Sequence, residues 1–319
     1  MTVSHVINEH KYVKDETRER VLDAIARLDY RVNHAARNLR TGRTGAIGLA
    51  LPEIDSHYFG QFAARIIELA ERRGYRVAVE QTGRSRDSEL DALTLSRNRL
   101  YDGLILSTVG LGQEDVGLLQ VDHPVVILGE RIFDGPLDHI AMPNVSGADA
   151  AVSHLLDRGC RRILILDGSE LAEVSMHALR LEGYQLALER RGIEVDPELV
   201  IALKRTDMPA GRDAIVEAIA RGIDFDGVFC VTDTLAIGAL RGLADAGLRV
   251  PNDVKVIGYD DISESSYLVP SLSSIAPDHD AMARTALDRL LARITGKALD
   301  PIEYVSAFEV VARESTGEA

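Results

Sequence analysis

Two groups in this chain hold side chains that could move a proton or bind a metal. Asp260 and Asp261 stand side by side at the end of an apolar run, and Asp278, His279 and Asp280 are consecutive. Neither spacing suits catalysis. Adjacent residues leaving a strand face opposite ways, so one aspartate points to a cleft while the other is structural. Three consecutive residues at a helix start point in different directions and read as a cap and dipole partner rather than a metal site. No G-x-G-x-x-G follows a strand, no G-x-x-x-x-G-K-[ST] cradles a phosphate, and no G-x-S-x-G elbow occurs. Cys160 and Cys230 are isolated, each beside a strand; counting alone permits a disulfide, but two reduced, buried thiols are the better reading. The residues give no sign of an enzyme, a cofactor or a metal.

Binding is better supported than catalysis. Short Val/Ile/Leu runs alternate with amphipathic stretches. The strands read as 46–52, 76–82, 103–108, 125–129, 139–143, 162–168, 199–205, 227–233, 254–261, 272–278 and 304–313, with helices including Phe59–Arg73, Gly147–Arg158, Met176–Arg191 and Leu235–Ala246. Near-continuous apolar strands alternating with helices imply parallel sheets covered on both faces. Eleven strands exceed one compact doubly wound sheet, so an α/β fold of two βαβ lobes is expected, with a ligand between them at the C-terminal strand ends. Polar residues gather at those ends: Pro52-Glu53-Ile54-Asp55, Thr82-Gly83-Arg84, Asp167-Gly168, Thr232-Asp233 and Tyr259-Asp260-Asp261. Any one cluster is what a strand running into a loop produces; five at one rim point to a site for a small polar ligand.

The first residues differ from the rest. Residues 1–42 carry no strand signal, and Val21, Leu22, Ile25 and Leu28 recur at helical spacing behind Asp15 and Glu16. The net charge of the whole chain is −14, yet residues 1–45 hold nine Lys/Arg against six acids, a surplus of three positive charges. A basic head on an acidic body suits contact with phosphate at one end, although a solvated helix pair would look similar. Thr-Gly-Arg-Thr-Gly at 41–45 marks a linker. No apolar run reaches the ~20 residues needed to span a bilayer, and the acids near the N-terminus leave no export signal there.

The stretches TVSHVIN, KDETRERVLDAIARLDYRVNHAARNL, RLEGY, GYDD and VAREST occur in this order. With them the chain resembles bacterial repressors of the lactose-repressor/galactose-repressor (LacI/GalR) family over essentially its whole length. The resemblance implies a small all-α head with a partial helix-turn-helix at 1–32, a hinge helix and linker at 33–44, and a two-lobed core at 45–319. That core resembles type I periplasmic binding proteins, with lobe 1 about 45–144 plus 277–305 and lobe 2 about 145–276 plus 306–319. It further implies a cytoplasmic homodimer on near-palindromic operator DNA. A small effector, a sugar or sugar derivative, would bind between the lobes and change their angle. A transport-type binding protein would share the core but carry an export signal and lack the basic head.

Residue by residue, the resemblance places Thr2, Ser4, His5 and Asn8 on the recognition helix, with Val3, Val6 and Ile7 on its inward face. In the hinge it places Asn33, Leu39 as a minor-groove wedge, and Arg37 and Arg40 against phosphates. Effector contacts fall on Arg180 and Asp260, whose guanidinium and carboxylate suit sugar hydroxyls. Thr232 and Asp233 lie at a pocket-lining strand end, Tyr58 or Phe59 could stack on a sugar ring, and Thr206 stands where some members have an aromatic.

Three departures accompany the likeness. The opening helix of the helix-turn-helix and its turn are missing, His5 replaces an arginine that reads guanine, and Pro143-Asn144 replaces a common Asp-Asn pair. From the first we expect Met1 to be an internal methionine of a chain some 15–20 residues longer, about one more helix and turn. Otherwise the chain would be an effector-binding core with little DNA binding.

Overall fold

The computed structural model describes Val6 and residues 13–28, 42–167 and 175–317. Thr2, Ser4, His5, Asn8, Asn33, Arg37, Leu39 and Arg40 lie outside the described residues, as do Gly168 and the side chain of Asp167. The chain separates into two compact units, Met1–Gly45 and Ala46–Ala319. In the first, α1 spans Asp15–Arg27, with Asp15 and Glu16 in its first turn and Arg27 in its last, the charge order that favours the helix dipole. Val21 and Ile25, one turn apart, are half-buried, and Val6 is buried.

The second unit holds two six-stranded sheets. β1 (Ala46–Leu51), α2 (His57–Arg72), β2 (Arg76–Gln81), α3 (Arg86–Arg97), β3 (Leu104–Thr108), β4 (Val125–Gly129) and β5 (Asp138–Ala141) begin the first. The second follows with α4 (Asn144–Asp157), β6 (Ile163–Asp167), α5 (Met176–Arg190), β7 (Val200–Ala202), α6 (Met208–Ala220), β8 (Gly227–Cys230), α7 (Asp233–Asp245), β9 (Lys255–Tyr259) and β10 (Ser273–Pro277). The chain then returns through α8 (His279–Ile294), β11 (Glu303–Val305) and β12 (Phe308–Val311). Strand orders are β11-β5-β4-β3-β1-β2 and β12-β10-β9-β8-β6-β7. Every pairing is parallel except that of β12 with β10. The central strands are buried along their length, which is why they read as unbroken apolar runs.

One expectation is corrected. The run 304–313 is two strands, not one: β11 pairs with β5 in the first sheet and β12 with β10 in the second. Ser306 and Ala307 make the crossing, with the Ser306 amide donating to the Ala141 carbonyl and the Ala307 carbonyl accepting from the Asp278 amide. The chain passes between the sheets at three neighbouring places: after Ala141, at Pro277–Asp278 and at Ser306–Ala307.

α8 packs on α2 and on β3, β4 and β5. A buried charge fastens it there. Asp138 in β5 is fully buried, accepting from Arg289 Nε at 2.9 Å, Arg293 Nε at 2.5 Å and the Ile302 amide at 3.1 Å. These partners hold its carboxyl below the usual range against the opposing effect of burial. Cys160 and Cys230 are both free and buried. Burial pushes the Cys160 thiol up to about 11 and the Cys230 thiol well above its ordinary value, so neither is an activated nucleophile.

Over the second sheet, α4 packs on α5 and α6 on α7. Both pairs depend on missing side chains. A Cβ on Gly183 would lie 2.2 Å from the Val145 carbonyl oxygen, and one on Gly238 2.0 Å from that of Met208. Backbone cannot yield as a side-chain tip can, so Gly183→Ala should destabilise the fold by about 1–3 kcal/mol. Thermal unfolding followed by circular dichroism checks this; an unchanged melting temperature would show that α4 and α5 can separate at no cost.

Candidate functional site

Arg180 lies on the second turn of α5 and is 1% exposed. A guanidinium buried so far needs partners for its donors, and residues at the β5–α4 crossing and at the end of β8 supply them. Nε donates to Asn144 Oδ1 at 2.8 Å, Nη1 to the Val231 carbonyl, and Nη2 contacts Met142 Sδ at 3.3 Å. The guanidinium carbon also sits 3.4 Å from the centroid of the Tyr259 ring, a cation–π contact in a site shielded from water.

Nη2 lies 3.7 Å from Asp260 Oδ1, an ion pair rather than a short hydrogen bond. Asp260 leaves β9 with φ of +107°, a costly conformation for a residue with a Cβ. Two backbone bonds hold it: its amide donates to the Ile275 carbonyl at 2.9 Å, and its own carbonyl accepts from His279 Nε2 at 2.7 Å. Burial pushes the Asp260 carboxyl up to about 8, with Asp233 and Glu130 adding to the rise and Arg180 opposing it. Near neutrality this carboxyl can therefore accept or donate a hydrogen bond.

Tyr58 comes from the first lobe, in the opening turn of α2. Its ring lies 4.8 Å from Phe59, 6.0 Å from Phe62 and 5.2 Å from the imidazole of His279. Burial raises its phenol well above the usual range, and Glu130 and Asp260 raise it further. Phe59 is half-buried against the core. Of the two aromatics considered from the sequence, Tyr58 is the one that feels Asp260 and Arg180.

The remaining expected residues divide differently. Thr232 is half-buried and caps α7, accepting from the Leu235 amide. Thr206 is half-buried between β7 and α6; no hydrogen bond or ring contact among the described residues joins it to Arg180 or Asp260. Asp233 requires a correction: it does not face the cleft. It is fully buried, Oδ2 accepts from the Ile262 amide and Ser265 Oγ, and Oδ1 accepts from Ser274 Oγ at 2.6 Å. A Cβ on Gly258 would come within 2.0 Å of Oδ1, so the packing is closed around it. Asp233 ties the start of α7 to the loop after β9. Burial nonetheless pushes its carboxyl up to about 7, the three donors opposing.

Other polar groups at the rim are also spent on the protein. Glu53 pairs with Arg84 at 3.0 Å and Asp261 with Arg313 at 2.7 Å. In the 278–280 triplet, Asp278 caps α8, His279 bonds Asp260, and Asp280 pairs with Arg65 at 2.8 Å. Three neighbours point three ways, and no group of His, Cys, Asp and Glu that could hold a metal occurs among the described residues. Sequence reasoning missed Glu130, Met142 and the Val231 carbonyl. Glu130 follows β4 directly, so the strand-end criterion used for the other clusters would have found it.

Both raised carboxyls tie stability to pH with the same sign. A carboxyl whose folded-state value exceeds its ordinary 3.8 keeps a proton that the unfolded chain releases, so its contribution is complete below about 4 and is lost as pH rises through about 8 for Asp260. Asp260→Asn should flatten the fall in melting temperature between pH 5 and pH 9, by on the order of 5 °C. Equal slopes for the two chains, measured by differential scanning fluorimetry, would show that Asp260 does not titrate in this window.

Residues 1–33 match the bacterial regulatory proteins of the lacI family, and residues 152–316 match the periplasmic binding protein-like domain family. The ribose operon repressor of Haemophilus influenzae is 31% identical over 294 residues, covering 92% of this chain and 87% of its own length. A LacI-family protein from Sanguibacter keddieii superposes with a TM-score of 0.80 at 39% identity, over 87% of this chain and all of the other. The lac repressor dimer bound to operator and the anti-inducer ONPF superposes with a TM-score of 0.86 at 29% identity, over 99% of this chain and 94% of the other. No helix among the described residues is long and apolar enough to cross a membrane.

Proposed function

The chain belongs to the LacI family of bacterial regulatory proteins and is a transcriptional regulator; on that premise we propose that it binds operator DNA as a homodimer in the cytoplasm under the control of a small neutral polyol, most simply a sugar. One observation carries the effector side. The buried Arg180, the carboxyl of Asp260 and the Tyr58 ring converge where the strands of the two sheets end. The guanidinium donates to hydroxyl oxygens, Asp260 accepts from or donates to them, and Tyr58 offers an aromatic face to the apolar side of a ring. Thr232 and Thr206 stand as candidate outer contacts. We read the site as one for binding without turnover.

The DNA side is assigned by family position. Residues 1–32 act as the reading head, with Thr2, Ser4, His5 and Asn8 towards the bases and backbone. Residues 33–44 act as the hinge, with Leu39 entering the minor groove and Asn33, Arg37 and Arg40 facing the backbone. Effector between the lobes changes their angle, and the three neighbouring chain crossings are where that angle can change. The two heads of a dimer then fit or miss their half-sites.

Two measurements test this. D-ribose, D-xylose, D-glucose and cellobiose are added singly while unfolding is followed. A sugar at one hundred times its dissociation constant should stabilise the chain by about 2.7 kcal/mol, and Asp260→Asn should remove most of that gain. A labelled duplex, selected from a random pool, is then titrated at two salt concentrations. Arg37→Ala and Arg40→Ala should each weaken binding and lower the salt slope by about one. Sugar binding without duplex binding would leave a sensor with no DNA reader, and neither would defeat the reading.

A further inference from the structure

His279 is the first residue of α8 and lies immediately after the Pro277–Asp278 crossing between the sheets. Nothing in its sequence context marks it as part of a binding site; its neighbours are a helix cap and a surface ion pair. Its imidazole nevertheless stands between the two groups on which the proposed sugar site rests. On one side Nε2 is 2.7 Å from the Asp260 carbonyl oxygen. On the other the ring lies 5.2 Å from the ring of Tyr58, tilted by 50°.

These contacts reach different lobes: Asp260 directly follows β9 of the second sheet, and Tyr58 lies in the first turn of α2, beside the first. We propose that His279 is a positioning residue for the effector site, setting through the Asp260 backbone carbonyl and the Tyr58 ring how these two groups stand to each other. This rests on the reading of Tyr58 and Asp260 as the sugar-binding pair.

Three physical arguments support it. Asp260 has φ of +107°, a conformation that must be enforced by its surroundings. The Asp260 amide is fixed by Ile275, and the following peptide is held at its N–H end by Ser274 Oγ, 3.0 Å from the Asp261 amide, and at its carbonyl by His279 Nε2. Of these restraints the Nε2 bond is the one that reaches the peptide from α8, which packs on the first sheet. Burial, with Arg65 nearby, keeps the imidazole below its usual range. The neutral ring must then carry its proton on Nε2 to donate to a carbonyl. The position also explains why a ring rather than an aliphatic chain serves here: one planar group can donate at its edge and pack by its face.

The test separates the donor from the ring. His279→Phe keeps a ring against Tyr58 and removes the donor. His279→Gln keeps an N–H at similar reach and removes the ring. Should the phenylalanine chain fail to fold, His279→Leu replaces it. Each full-length chain is titrated with D-ribose, D-xylose, D-glucose and cellobiose. Each is also labelled with 13C at aspartate, and the Asp260 signal, assigned by its loss in Asp260→Asn, is read for the one-bond Cα–Hα coupling that reports the sign of φ.

In His279→Phe, affinity for whichever of these sugars binds the wild type should fall about tenfold, the cost of leaving a buried acceptor unpaired. The positive-φ signature of Asp260 should weaken with it. In His279→Gln the signature should persist and affinity should stay within about threefold of wild type. Unchanged signature and affinity in the phenylalanine chain overturn the inference. So does a change in one readout alone when a sugar binds, because positioning predicts that both move together. If none of the four sugars binds any chain and the Asp260 signature still depends on the donor, the positioning role stands and the sugar reading falls.

Discussion

The interaction on which the rest of this site depends is the burial of the Arg180 guanidinium. A cation removed from water is tolerable only where its donors find acceptors and its charge finds compensation. Asn144 opens α4 just after the first crossing between the sheets, Val231 leaves β8, and Tyr259 ends β9. One side chain on α5 therefore fastens three elements to one another. Its charge is compensated less completely than its donors are. The Asp260 oxygen stands 3.7 Å away and burial works against ionisation of that carboxyl. The second lobe thus presents a half-neutralised pair beside the aromatic face of the first, an arrangement suited to hydroxyl groups that both donate and accept.

The crossings give this pair mechanical meaning. The chain passes between the sheets where strands end, and the Ser306 amide bonded to the Ala141 carbonyl and the Asp278 amide bonded to the Ala307 carbonyl keep the links close together. Asp138 fastens α8 to the first sheet through Arg289 and Arg293, and His279, at the other end of that helix, touches the loop that carries Asp260. A change at Asp260 therefore acts on a helix already anchored in the opposite lobe. The buried ion cluster at Asp138 is costly to disturb, which makes it a fixed point rather than a moving part.

Much of the fold was legible in the sequence because parallel strands buried on both faces spell themselves as apolar runs: β1, β3, β4, β6, β8 and β9 each do so. The division of 303–311 was not legible. A chain moving from one sheet to another keeps the same extended backbone and composition, and only the partner changes; Ser306 and Ala307 carry no signal of it. At the site, the strand-end rule reached Asp260 within the cluster Tyr259-Asp260-Asp261 without separating it from Asp261, while Arg180, on a helix, was reached by family likeness alone. Asp233 was misplaced because its neighbour Thr232 and its position at a strand end said nothing of Ser265 and Ser274, which approach from 32 and 41 residues away.

The polar rim shows why position alone cannot define a site. The ends of parallel strands leave loops whose backbone groups and turns require partners, and acidic residues supply them. Asp233 holds the loop after β9, Asp261 is ion-paired with Arg313 of the C-terminal segment, and Glu53 closes on Arg84. In each case the carboxylate is paired within the protein, and the residue serves the architecture of the rim. Asp260 is the neighbour of Asp261 and behaves in the opposite way. Its backbone is held at both ends while its carboxyl is left with a single distant ion pair. The distinction between a residue that builds a cleft and one that works in it lies in what bonding capacity remains after the fold has been satisfied, and only the folded arrangement of distant partners decides that.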